Sequence, residues 1–195
     1  IDWKRKFRDA EDEMDLHRWN WLQTVLSKNT CSSNDFKWAK KQIKTWLILF
    51  DNEINNKNKI KNSLKWSSYT VGERISNTVL FYYLTNSVPS LKLQSLLFKQ
   101  VILLSKRLEY FGDKTGNHII NNARAMYLYA IAFNNKNIAT LAKQIINNDY
   151  DILVSPDGFL REGSSHYQFL FTRWILELYI FSNIVNDRNF SSFLK

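Results

Sequence analysis

Punctuation is scarce in this chain. Its 195 residues include only two Pro and five Gly, the residues that let a backbone turn sharply or stop a helix. A many-stranded sandwich or barrel needs a turn every few residues. Such folds are therefore disfavoured, and long helices joined by short loops are favoured. Hydrophobic residues make up 45% of the chain and charged residues 23%. That balance fills a core, and the length suits one domain and rarely two.

Apolar spacing points the same way. Residues 4 to 28 suit one helix carrying Met14, Trp19, Trp21, Leu22, Val25 and Leu26. Asp35 is placed to cap a second, with Phe36, Trp38, Ala39, Ile43, Trp46, Leu47 and Phe50 along it. Residues 52 to 63 are polar and of low complexity. They read as a mobile surface loop rather than a domain boundary, because the helical pattern resumes beyond them. Further helices are expected over 69 to 86, after Pro89, over 116 to 134, over 137 to 149 and over 164 to 185. The clearest stripe is Leu93, Leu97, Val101, Leu104 and Leu108, at intervals of four, four, three and four. Ser155-Pro156-Asp157-Gly158 marks a turn with short strands beside it. Helix following helix through short loops implies an all-α chain of antiparallel hairpins.

The net charge is +9, and a basic surface attracts polyanions. Nucleic acid, anionic membrane and acidic polysaccharide all qualify, and a general richness in Lys and Asn would also produce such a charge. Lys and Arg are scattered through every segment instead of gathering on one face, which weighs against nucleic acid. Cys31 is the only cysteine, so neither an intrachain disulfide nor a cysteine metal site is expected. No uninterrupted apolar run is long enough to span a membrane. Phosphate-loop, His-Glu-x-x-His, Gly-x-Ser-x-Gly and zinc-finger patterns are absent, and with three His in all neither a metal nor any other cofactor is expected. The chain opens on Ile1 rather than Met, which suggests a stretch of a longer protein and leaves a leader neither supported nor excluded.

Two short motifs can carry chemistry. Asn117 and His118 follow Thr115-Gly116 at the expected start of a helix, with Thr115 as a candidate N-cap. Free backbone N–H groups and the positive end of the helix dipole collect there and favour a carboxylate or phosphate. The same two residues would equally serve as caps. Ser164-Ser165-His166-Tyr167 stands at the start of the last helix, where a positive environment would favour a phenolate. Such a Tyr can move protons, and it can also be a core aromatic. Arg74 could clamp a carboxylate through paired donors or pair with Glu73 or another acid on the surface. Glu162 could orient a partner or cap a helix. Trp66 and Trp174 could stack on sugars or lie in the core.

Three segments together resemble heparinase II/III-like proteins. They are Trp66-Ser-Ser-Tyr-Thr-Val-Gly-Glu-Arg74-Ile-Ser-Asn, Gly116-Asn-His-Ile-Ile-Asn-Asn-Ala-Arg-Ala-Met and Asp157-Gly-Phe-Leu-Arg-Glu162-Gly-Ser-Ser-His-Tyr167. Asp2-Trp3 and the stretch from Leu16 to Leu22 are also similar to relatives. The resemblance covers nearly the whole chain. It implies an incomplete (α/α) toroid over residues 1 to 195, a following β-sandwich that is not in this stretch, and export from the cytoplasm. It implies a polysaccharide lyase that cleaves a uronic-acid polymer by β-elimination. Asn117, with His118, would neutralise the uronate carboxylate, and Tyr167 would transfer protons. Arg74, Glu162, His166 and Trp66 would bind or orient the sugar. The pattern departs at Asn121 and Asn122, where many relatives carry an acid, and at Gln168, where many carry His. A catalytically silent carbohydrate-binding or assembly protein, and a basic helical nucleic-acid binder, are the alternatives.

Overall fold

Ser32 and Asp35 illustrate how these helices begin. The Ser32 hydroxyl accepts from the Asp35 N–H, and the Asp35 carboxylate accepts from the Ser32 N–H, a reciprocal box that satisfies two otherwise orphaned donors. The N-cap is thus Ser32, with Asp35 three residues inside. In the computed structural model, which describes residues 1–28, 31–112 and 115–194, the chain is all-α. It packs as two compact units, Ile1–Leu104 and Ser105–Lys195.

The first unit contains α1 (Ala10–Arg18), α2 (Trp21–Leu26), α3 (Ser33–Phe50), α4 (Lys57–Lys61), α5 (Ser68–Leu84) and α6 (Leu91–Ser105), the last residue of which opens the second unit. The single helix expected over 4 to 28 is two helices, broken where Trp19 takes φ 62°. A non-glycine residue in that left-handed region is costly. Trp19 is held there because its ring is fully enclosed, edge-on to Trp46 at 5.4 Å. The expected loop over 52 to 63 is also corrected. Its residues form a 3-10 turn and then α4, because Asn56 caps that helix by accepting from Asn58 and Lys59. A second 3-10 turn, Leu64–Trp66, leads into α5.

From Thr70 to Val79 helix α5 is enclosed on every side, polar residues included. Two of these splint the break between α1 and α2. Arg74 Nη1 donates to His17 O at 2.9 Å and to Lys65 O at 2.9 Å, and Nε donates to Gln100 Oε1 at 2.9 Å. Asn77 Nδ2 donates to Arg18 O at 2.9 Å and to Asn20 Oδ1 at 3.0 Å. The last carbonyls of α1 have no partner within their own helix, so the Arg74-x-x-Asn77 spacing supplies what that C-terminus lacks. The cation also sits at the negative end of the α1 dipole.

His17 lies beneath this splint, buried, with Nδ1 accepting from Trp46 Nε1 at 3.0 Å. Burial, then the charges of Arg74 and Lys65, lower its pKa from 6.5 to about 3. An unfolded chain takes up a proton at His17 below pH 6.5 and the folded one does not. Stability is therefore complete above that pH and declines as the pH falls toward 3. Between about pH 7.5 and about pH 5.5 unfolding should become easier by about 1.4 kcal/mol, read from the urea midpoint. His17→Asn should flatten that slope; an unchanged slope in the variant would assign it to other groups.

The second unit holds α7 (His118–Ala132), α8 (Lys136–Leu153), α9 (Ser165–Ile184) and α10 (Arg188–Phe193). α7 and α8 pair through the short turn at Phe133–Asn135, where Asn134 takes φ 51° and Asn135 caps α8. α8 runs four residues past the expected end at 149, because Ile145, Ile146 and Leu153 continue its buried stripe. The short strands expected around Pro156 reduce to one antiparallel bridge, Val154 with Leu160. α7 is joined to α9 by a buried ion pair. Arg124 Nη1 stands 3.2 Å from Glu177 Oε2, and its guanidinium lies 5.3 Å from the Trp174 ring. Trp174 is therefore core. Among the described residues no helix is long and apolar enough to cross a membrane.

Candidate functional site

The second unit brings residues 109–111 and 115–118, the end of α8, and residues 161 to 167 around one cleft of about 560 Å³. Each wall is fixed by ordinary folding chemistry. Tyr110 donates from its hydroxyl to Asp149 Oδ2 of α8 at 2.7 Å, and burial with that carboxylate pushes the phenol up to about 12. This bond straps the segment carrying Glu109 onto α8. Opposite, Arg161 N donates to Leu153 O and Ser155 N to Phe159 O, each at 2.8 Å, so the chain folds back tightly after α8. Gln168 closes that return, with Oε1 accepting from Leu160 N at 2.7 Å and Nε2 donating to Gly158 O at 3.4 Å. Gly163, at φ 68°, then swings the chain from Glu162 into α9, where Ser164 caps by accepting from Tyr167 N.

Asn117 is the N-cap of α7, and it does not cap through its side chain. The helix begins two residues later than expected. Thr115 is not its cap; its hydroxyl accepts from Phe111 N at 2.9 Å. Asn117 is instead gripped across the cleft. Its backbone N donates to Glu162 Oε1 at 2.8 Å and its Nδ2 donates to Glu162 Oε2 at 3.1 Å. One carboxylate thus satisfies an orphan helix donor and fixes the amide's orientation. Gly116 makes the approach possible, since a Cβ there would stand 3.2 Å from Glu162 Oε1.

His118 follows, half exposed, with Nδ1 3.5 Å from Glu109 Oε1. Glu109 also accepts from Asn122 Nδ2 at 3.3 Å. Tyr167, 45% exposed, lines the same cleft, as does Arg161. The arrangement therefore offers an amide held by a carboxylate at a helix start, an imidazole beside a second carboxylate, a guanidinium and a phenol.

Of the residues singled out from sequence, Asn117, His118, Glu162 and Tyr167 meet here. His166 is exposed and lies against Tyr167, ring centroids 5.8 Å apart, outside the lining of the cleft. Arg74 and Trp66 belong to the first unit, and both are fully enclosed there. The Arg74 guanidinium faces the Trp46 and Trp66 rings at 4.7 and 5.1 Å, and Trp66 Nε1 donates to Glu53 Oε2 at 2.9 Å. The expected contact of these two with sugar gives way to interior packing, because neither has an exposed face. Nor is Arg74 a surface partner of Glu73. Glu109 and Arg161 were not singled out from sequence. Both lie in irregular segments, where periodicity carries no information.

The heparinase II/III N-terminus family model matches residues 1–191. Comparison with curated proteins and with solved structures gives no match. A match of that extent, on an all-α chain whose Asn117, His118, Glu162 and Tyr167 gather at one cleft, makes the chain a member of the heparinase II/III family through that family's N-terminal region.

Proposed function

We propose that the second unit carries the carboxylate-neutralising and proton-transfer groups of a polysaccharide lyase acting on a uronic-acid polymer by β-elimination. The observation that carries this reading is the grip of Glu162 on Asn117 beside Tyr167. The C5 proton of a uronate becomes removable when its carboxylate is neutralised. Asn117 has one amide hydrogen committed to Glu162 and a second for a ligand. The α7 N-terminus and Arg161 add positive potential for the same carboxylate. These donors are placed before the reaction begins, so they need no rearrangement as charge develops.

Tyr167, entering as its phenolate, takes the C5 proton. The C–H electron pair forms the C4–C5 double bond, the C4–O bond breaks, and the leaving oxygen takes a proton from Tyr167, which restores the phenolate, or from the imidazolium form of His118, Tyr167 then losing its proton to water. Glu109 beside Nδ1 favours a proton on that nitrogen, so Nε2 is the His118 atom that would exchange a proton with the sugar. Asn121 and Asn122, where relatives carry an acid, are both buried, and Glu109 brings a carboxylate to Asn122 from a different segment.

One observation favours a binding-only protein. Gln168, where relatives carry His, is committed to the 158–160 loop, so no imidazole directly follows Tyr167. The decisive experiment offers alginate, heparan-type and other uronate polymers to the full-length protein and follows the ultraviolet absorbance of the unsaturated product. We expect a rise with at least one polymer. Binding without any rise would establish the silent alternative, and neither binding nor a rise would end both readings.

A further inference from the structure

The first unit contains a second cleft, of about 530 Å³, which the elimination chemistry does not use. Three consecutive cations, Lys4, Arg5 and Lys6, stand exposed in its lining, joined by Lys65, whose Nζ is paired with Glu53 Oε2 at 2.9 Å. Glu13 is the one acid in the lining. The floor consists of His17 and Trp3, stacked at 6.3 Å and 24° and both nearly enclosed. Because His17 Nδ1 accepts from Trp46, the imidazole carries its proton on Nε2 and is a neutral donor. Trp3 Nε1 is buried and finds no acceptor among the described residues. An unmet buried donor is uncommon in a folded chain and calls for a partner.

Three exposed cations beside two N–H donors, with Glu13 the one acid in the lining and Glu53 taken up by Lys65, make a receptor for an oxyanion. We propose that this cleft binds a carboxylate or sulfate group of an acidic saccharide, as a binding site additional to the cleft around Asn117. The surrounding rings distinguish a saccharide from a nucleic acid. Single-stranded nucleic acid needs open aromatic faces for its bases. Here Trp3 is 3% exposed and Phe50 6%, Lys65 Nζ covers Phe50 at 3.8 Å, and the Arg5 guanidinium lies over the half-buried Phe7 ring at 5.1 Å. The cleft therefore recognises charge and small polar groups, and it lacks a stacking platform. The saccharide in this inference comes from the family reading, but the elimination step is not needed for it.

The test uses the full-length protein labelled with ¹⁵N at its tryptophan indoles, with Trp3→Phe identifying the Trp3 signal. Sodium sulfate, sodium glucuronate, and uronate oligosaccharides with and without sulfate esters are titrated in, with sodium chloride at matched ionic strength as control. The Trp3 indole signal should move saturably with the glucuronate and the oligosaccharides and stay put with chloride. The double variant Lys4→Ala/Lys6→Ala, both exposed positions, should weaken binding on the order of tenfold. If sulfate alone saturates the site and the saccharides do not compete, it is a plain anion site and the saccharide assignment falls. If a single-stranded oligonucleotide binds tightest, the ligand class is wrong. A Trp3 signal that never moves overturns the proposal altogether. Binding in a protein that cleaves no polymer would leave this cleft standing while the lyase reading failed.

Discussion

Tyr167→Phe in the full-length protein is expected to lower kcat for polymer cleavage by about 10²–10⁴-fold, the usual worth of a positioned proton-transfer group. The substitution removes one oxygen. It leaves the ring against His166 and leaves the Ser164 cap intact, because that cap uses the Tyr167 backbone N–H. The side chain is half exposed, so no buried partner is orphaned and the fold should not respond. KM should change little, since the hydroxyl acts on the proton in flight more than on the resting sugar. Steady-state kinetics on the polymer that gives the largest absorbance rise would measure both constants. A variant that cleaves at the parent rate would remove Tyr167 from the chemistry and leave His118, beside Glu109, as the remaining proton carrier.

Arg74→Met is expected to act on stability instead, by about 3 kcal/mol. Desolvation works against the cation and lowers its pKa to about 9, so removing the charge relieves one cost. The larger effect has the opposite sign. The carbonyls of His17 and Lys65 and the Gln100 side chain lose their donors, the first and the last of them in the buried interior and the second partly buried. Each stranded acceptor costs about 1–3 kcal/mol, and the sum is less than additive. Arg74→Lys should not rescue the loss, because a single ammonium cannot reproduce a planar fork that meets three acceptors. Chemical denaturation of the purified variants would give the loss, and polymer-binding assays on the surviving folded fraction would give the contrast. Normal stability with lost polymer affinity would return Arg74 to the ligand.

This pair of residues also illustrates what the amino-acid order could reveal. The helices were readable because α3, α6 and α8 each bury one stripe, and a stripe has a period. Leu93, Leu97, Val101 and Leu104 are all buried, while Leu108 lies beyond the end of its helix. α5 misled for the opposite reason. Enclosed all round from Thr70 to Val79, it carries Arg74 and Asn77 in the interior, and a polar residue on a helix looks the same in sequence whether it faces water or splints a neighbour. The break at Trp19 had no Gly to announce it, and the left-handed residue is Trp19 rather than the neighbouring Asn20, since tertiary packing holds the bulky ring there. At the candidate site, the helix starts near Asn117 and at Ser164 were visible, the first of them two residues early. The role of Glu162 as a brace was anticipated only as one option, because it depends on a contact across 45 residues. Glu109 and Arg161 lacked even that much signal.

The same brace has a consequence for the order of assembly. Helices and the α7–α8 hairpin involve near neighbours and form early in folding, whereas joining Asn117 to Glu162 closes a loop of 45 residues and must wait for the entropy of that closure to be met. Until the 154–163 return is in place and α9 has docked, the amide of Asn117 has nothing to orient it. The cleft is thus among the last parts of its unit to mature. A chain with native helix content but an undocked α9 would look folded by circular dichroism while still lacking its brace.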